Sequence, residues 1–69
     1  MYYFVFISED DDKDPYECVF RDAGRYGRQN AIDVARSEAS GQGRPFVMVI
    51  EHEWDDPVEA WELGKVVEY

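Results

Sequence analysis

The residues with the most chemical potential in this chain are acids. Asp10, Asp12 and Asp14 recur at every second position of an acidic run, the 1-3-5 spacing with which a calcium loop presents carboxylates. Such a loop also needs glycine at its sixth position and a bidentate glutamate at its twelfth. Pro15 and Arg21 stand there instead, so no specific calcium site is expected and the run reads as a solvated loop. His52 lies between Glu51 and Glu53 and has the type of a general base, but no serine or cysteine motif accompanies it. Cys18 alternates with Tyr16 and Phe20, which fits a small buried hydrophobe better than a reactive thiol. The glycines at 24, 27, 41 and 43 form neither GxGxxG nor a P-loop. Neither catalysis nor a cofactor or metal is expected from these residues.

Two acidic groups remain. One is the run at 9–14, with Asp10, Asp11 and Asp12 at its centre. The other interleaves acids with tryptophan: Glu51, Glu53, Trp54, Asp55, Asp56, Glu59, Trp61 and Glu62. Aromatic anchors rimmed by charge are how compact protein interfaces are built. Carboxylates on a rigid surface can also occupy Lys/Arg sites that normally hold phosphates. These residues are the candidate partner-binding surface, with 51–62 as its main part and 9–14 as a source of long-range steering.

The charge distribution frames that surface. The chain has 69 residues and a formal net charge of −9. Residues 1–20 carry net −5, residues 21–44 net +2 and residues 45–69 net −6, so acid brackets a mildly basic middle. This balance disfavours direct binding to nucleic acid or anionic lipid and favours a basic partner. With one cysteine no internal disulfide can form, and with one histidine a zinc site would need an unusual ligand set. No apolar run approaches the ~20 residues of a membrane span. The lone cysteine and the lack of a signal-like N-terminus fit a cytoplasmic setting.

The elements that must position these residues follow from hydrophobic period. Tyr2–Ile7 is aromatic or aliphatic throughout, so both faces of that strand need cover and it belongs in the middle of a sheet. Tyr16–Arg21 alternates and reads as a half-exposed edge strand, with Tyr16, Cys18 and Phe20 on one face. From about Arg28 the period becomes helical through Ala31, Ile32, Ala35 and Ala39, with either Asn30 as the cap or a start one turn earlier, and Gly41 and Gly43 a stop. Asp33 and Arg36 are spaced to pair on that helix. Phe46–Ile50 is a second two-faced strand. Asp56-Pro57 then has the acid and proline of a helix start, giving one short turn with Val58 and Trp61 that ends at Gly64. Lys65–Tyr69 is a last short strand.

The expected fold is a single α+β domain: one four-stranded antiparallel sheet, β-β-α-β-β in order 2-1-3-4, with one helix packed on one face. The alanine-striped helix covers only one side. The other side of the two central strands therefore needs either the segment around Trp61 or a second chain in a homodimer. The same order sends the two acidic groups to opposite ends of the sheet.

In size, in this element order and in its acid groups at 9–14 and 51–62, the chain resembles the small acidic proteins of bacteriophages, and in particular small phage anti-CRISPR proteins. The resemblance is one of type, without a motif that carries over residue by residue. It implies a non-enzymatic inhibitor that docks on a basic host protein or nucleoprotein complex that handles nucleic acid, in some cases by mimicking DNA. The arginines from Arg21 to Arg44 depart from a uniformly acidic mimic. The alternatives are a dimeric accessory or structural module that associates through the open sheet face, a small hydrolase or transferase, and an acidic surface that serves solubility alone. Salt separates docking from dimerisation, because electrostatic docking weakens steeply as salt rises and an apolar dimer does not.

Overall fold

A computed structural model of the chain describes residues 1–8, 17–41 and 46–68. The elements are β1 (Tyr2–Ser8), β2 (Glu17–Ala23), α1 (Gly27–Gly41), β3 (Phe46–His52), α2 (Pro57–Leu63) and β4 (Lys65–Glu68). The strands form one sheet in the order β2-β1-β3-β4, and all neighbours are antiparallel. The expected sheet is thus present, with α2 as a second, shorter helix. No helix among the described residues is long and apolar enough to cross a membrane.

β1 takes the centre because it is apolar on both sides, and Phe4, Val5, Phe6 and Ile7 are all at most 2 % exposed. Val5 and Ile7 turn to one side of the sheet, where Val49 and the α1 residues Ala31, Ile32 and Ala35 close over them. Alanine at these positions lets α1 lie close to the sheet. Phe4 and Phe6 turn to the other side and meet Ile50 and Ala60, with Tyr2, Cys18, Met48 and Trp61 around them. Burying each large apolar side chain contributes about 1.5–3 kcal/mol. The second face is therefore packed by α2 of the same chain, the first of the two covers expected for it.

Register corrects one expectation. Val5 pairs with Phe20 but Phe6 pairs with Cys18, so Val19 is an extra residue in β2. The bulge puts Phe20 against the α1-side cluster and Cys18 against the α2-side cluster. Strict alternation had placed them on one face, and a single inserted residue reverses that for everything beyond it. β2 also runs two residues further than the alternation indicates, and Tyr16 lies outside the described residues.

Of the two starts expected for the helix, the earlier one is present. α1 begins at Gly27, after a turn in which Gly24 holds φ +101° and its carbonyl accepts from the Gly27 N–H at 3.3 Å. That φ favours glycine, which lacks the Cβ that penalises left-handed backbone. Asn30 is not the cap. It is already inside the helix, its N–H donating to the Tyr26 carbonyl at 3.0 Å and its side-chain amide to Asp22 Oδ2 at 3.0 Å. Asp33 accepts from Gln29 Nε2 at 2.9 Å, one turn earlier.

Candidate protein-binding surface

The candidate surface is built at the end of the sheet where β1 begins and β3 finishes. Tyr2 pairs with His52 and Tyr3 with Glu51, while Ser8 and Phe46 mark the opposite end. β3 therefore delivers Glu51 and His52 on a rigid strand, and residues 53–56 bend the chain toward α2. Glu51 is half-buried, in register between Tyr3 of β1 and Lys65 of β4. Glu53, Trp54, Asp55, Asp56 and Glu62 are exposed. Asp10, Asp11 and Asp12 lie outside the described residues. The strand ends that flank them, Ser8 and Glu17, lie at the far end of the sheet from His52.

Four of the eight candidate residues at 51–62 make contacts within the fold around α2. Asp56 is its N-cap: one carboxylate oxygen accepts from the Val58 and Glu59 N–H groups, each at 3.1 Å, and Pro57 follows as the first helical residue. Proline is suited there because the missing N–H would have had no intrahelical acceptor. Asp55 Oδ1 lies 3.4 Å from Arg21 Nη1 in an ion pair that ties the bend to β2, with both side chains about half exposed. Glu59 Oε1 lies 3.2 Å from His52 Nε2. That nitrogen is out of solvent and makes no aligned hydrogen bond, so the contact is a close approach that becomes an ion pair only when the imidazole is protonated. Trp61 packs its ring on Phe6, with centroids 5.4 Å apart and planes tilted by 52°. An exposed pair such as Arg21–Asp55 contributes at most about 1 kcal/mol, whereas the ring contact adds to area burial.

The candidates left facing solvent are Glu53, Trp54 and Glu62. Beside them stand two residues that charge and aromatic content did not single out, Val58 and Leu63, 68 % and 71 % exposed. A signal was present for Val58 alone, which stands two residues from Ala60 and so on the opposite side of α2; Leu63, three residues from Ala60, has the spacing of an inward position, and its exposure is decided by the tertiary structure. Gly64 closes α2 with its N–H on the Ala60 carbonyl at 2.8 Å, and a Cβ at Gly64 would overlap Ile50 Cγ2 and the Ala60 oxygen. Glycine is what allows β4 to start this close to β3.

Among the described residues, Cys18 and His52 do not stand together as a reacting pair. Cys18 and His52 both face the α2 side, but Cys18 pairs with Phe6 and His52 with Tyr2. Four residues of strand separate them by about 13 Å along the sheet, far beyond the ~3 Å of a nucleophile–base contact. Burial raises the Cys18 thiol pKa, partly offset by a backbone hydrogen bond of Phe20 and by the nearby Arg21; the thiol also lies 3.4 Å from the Phe20 carbonyl, to which it donates. The Asn30 amide and the Ala23 N–H hold the Asp22 carboxyl below the usual range. Among the described residues no group of three or more His, Cys, Asp or Glu is arranged to hold a metal ion. Two open depressions border Arg21: one of about 220 Å³ beside Tyr2, Asp22 and Asp55, and one of about 360 Å³ between Cys18, Val19 and Pro57. Compared with known proteins, this chain matches no family model, no curated protein and no solved structure.

Proposed function

We propose that this chain is a non-enzymatic binding protein that docks the acidic end of its sheet on a basic partner, a host protein or nucleoprotein complex that handles nucleic acid, and inhibits it. One observation carries the reading. Six carboxylates fall between residues 51 and 62, with no lysine or arginine in that stretch, on the end of β3, the bend at 53–56 and the capped helix α2. From outside the stretch, Arg21 pairs with Asp55, and Lys65 lies in register beside Glu51. A rigid like-charged surface steers a basic partner over distances of about a Debye length and disfavours acidic ones. The likeness to small phage anti-CRISPR proteins makes a nucleic-acid-handling complex the first target class to test.

The choice of substitutions matters. Asp56 caps α2, Asp55 pairs with Arg21 and Glu59 lies beside His52, so neutralising them alters these contacts along with the charge. Glu53 and Glu62 are exposed and test the charge alone. The experiment is affinity capture from a bacterial lysate, with the wild-type chain and the Glu53→Gln/Glu62→Gln variant as baits at low and high salt. The expected result is a set of basic nucleic-acid-binding proteins held by the wild type, weakened by the variant and released by salt. Capture that is equal for both baits and insensitive to salt would overturn the reading.

A further inference from the structure

One polar side chain is enclosed by the fold without an aligned hydrogen bond at its ring Nε2. His52 ends β3 on the α2 side of the sheet, and its side chain is only 12 % exposed. The Nε2 atom is out of solvent and has no hydrogen-bond partner. Glu59 Oε1 of α2 lies 3.2 Å from it, on a side chain that is 38 % exposed. The other charged and titratable groups of the neighbouring elements are placed differently. β1 brings Tyr2, the register partner of His52. β2 brings Arg21, which shares the α2 side with Phe4 and is paired with Asp55 of the bend. Glu51 of β3 and Lys65 of β4 stand in register with each other and with Tyr3, on the α1 side. Glu53 and Glu62 are exposed. Among the described residues, Glu59 is thus the carboxylate within pairing distance of the imidazole.

We infer that His52 and Glu59 form a pH-operated clasp that ties α2 to the end of β3. The clasp needs no partner molecule, so it stands apart from the docking reading. With a neutral imidazole the contact is a buried nitrogen against a poorly aligned carboxylate, and an enclosed polar atom without a hydrogen bond weakens the seat of α2. A proton turns the same contact into imidazolium against carboxylate, a charge-assisted pair. Histidine is the side chain that ordinarily takes up such a proton between about pH 8 and 5. Glu59 favours the protonated ring. Its contribution is therefore present on the acid side of the histidine titration and is lost as pH rises through it. Protonation of Glu59 itself removes the contribution again in stronger acid. α2 is an element able to respond. Its seven residues are too few for a helix to persist unaided, and while seated they cover Phe4, Phe6 and Ile50. The helix also carries Glu62, so the clasp makes the seating of part of the acidic end depend on pH.

The test is a double-mutant cycle of wild type, Glu59→Gln, His52→Gln and the double variant, followed by urea unfolding at about pH 5.5 and about pH 8. Glutamine keeps the shape of Glu59 and removes its charge. Glu59 also stands in the first turn of α2, a favourable placement that Glu59→Gln loses equally at both pH values, so the readout is the difference between them. Glu59→Gln should cost about fourfold more in the folded-to-unfolded ratio at the lower pH than at the higher. In the His52→Gln background that pH dependence should vanish. A second measurement is independent of stability. The chain has one histidine, so its ring C–H signals follow one titration. Their midpoint should lie about 0.7 of a pH unit lower in Glu59→Gln than in wild type, which corresponds to a coupling of about fivefold. Equal losses at the two pH values, or a midpoint that Glu59→Gln leaves in place, would overturn the inference. A pH dependence that survives in His52→Gln would overturn it too, because Glu59 would then act without the imidazole. Should His52→Gln fail to fold, the midpoints of wild type and Glu59→Gln decide the matter alone.

Discussion

Replacing Asp56 by alanine removes the N-cap of α2. The Val58 and Glu59 N–H groups both lose their acceptor, the Asp56 carboxylate oxygen at 3.1 Å. Loss of such a cap costs about 1 kcal/mol, within a range of about 0.5–2. Unfolding entropy of about 2.1 cal/mol/K per residue amounts to about 0.14 kcal/mol/K for this chain, so Tm should fall by about 7 °C. A chain this short draws only about 3–5 kcal/mol from a single core, so the change removes a large share of its stability. Asp56→Asn separates cap from charge. Asparagine keeps the accepting oxygen and loses only the favourable placement of a negative charge at a helix start, about 0.3 kcal/mol at an exposed site, or about 2 °C. The assay is thermal and urea unfolding by circular dichroism, with Trp61 emission in a Trp54→Phe background reporting whether α2 stays on Phe6. Equal losses for Ala and Asn, or no loss with Ala, would refute the assignment of Asp56 as the cap.

Three further outcomes follow from the packing and the titrating groups. Gly64→Ala should destabilise the chain by about 1–3 kcal/mol in urea unfolding, because the new Cβ overlaps Ile50 and the Ala60 carbonyl. Cys18 should react with a thiol reagent near pH 8 more slowly in the folded chain than in urea, since burial raises its pKa and lowers its thiolate fraction. The depressed Asp22 carboxyl stabilises the fold above its unfolded pKa of about 3.9, and that contribution is lost as pH falls through the lower folded value. The difference in urea midpoint between wild type and Asp22→Asn should therefore be present at neutral pH and vanish in strong acid.

Much of the fold was legible in the residues themselves. Two strands apolar on both faces, Tyr2–Ile7 and Phe46–Ile50, had to be central, and a helix between the second and third strands left the order 2-1-3-4 as the economical arrangement. The start of α2 was equally plain, because Asp-Pro followed by an acid satisfies the orphan donors of a first turn by local geometry alone. Both signals are local: periodicity and capping depend on neighbours within four residues.

What only the tertiary structure decided depends on partners far apart in the chain. Nothing near Val19 announces an extra residue, since a bulge exists only relative to the β1 register that it interrupts. Asp55 and Glu59 looked as free as Glu53 and Glu62 until the fold brought Arg21 and His52 beside them. Trp61 and Trp54 are the same residue type in the same acidic stretch. One rests on Phe6 and the other stands in solvent, because α2 turns a single stripe toward the sheet and Trp54 precedes the helix. Composition could mark the whole stretch 51–62 as a surface, but dividing it into residues that hold α2 and residues that face outward required knowing which side of a seven-residue helix meets Phe4, Phe6 and Ile50.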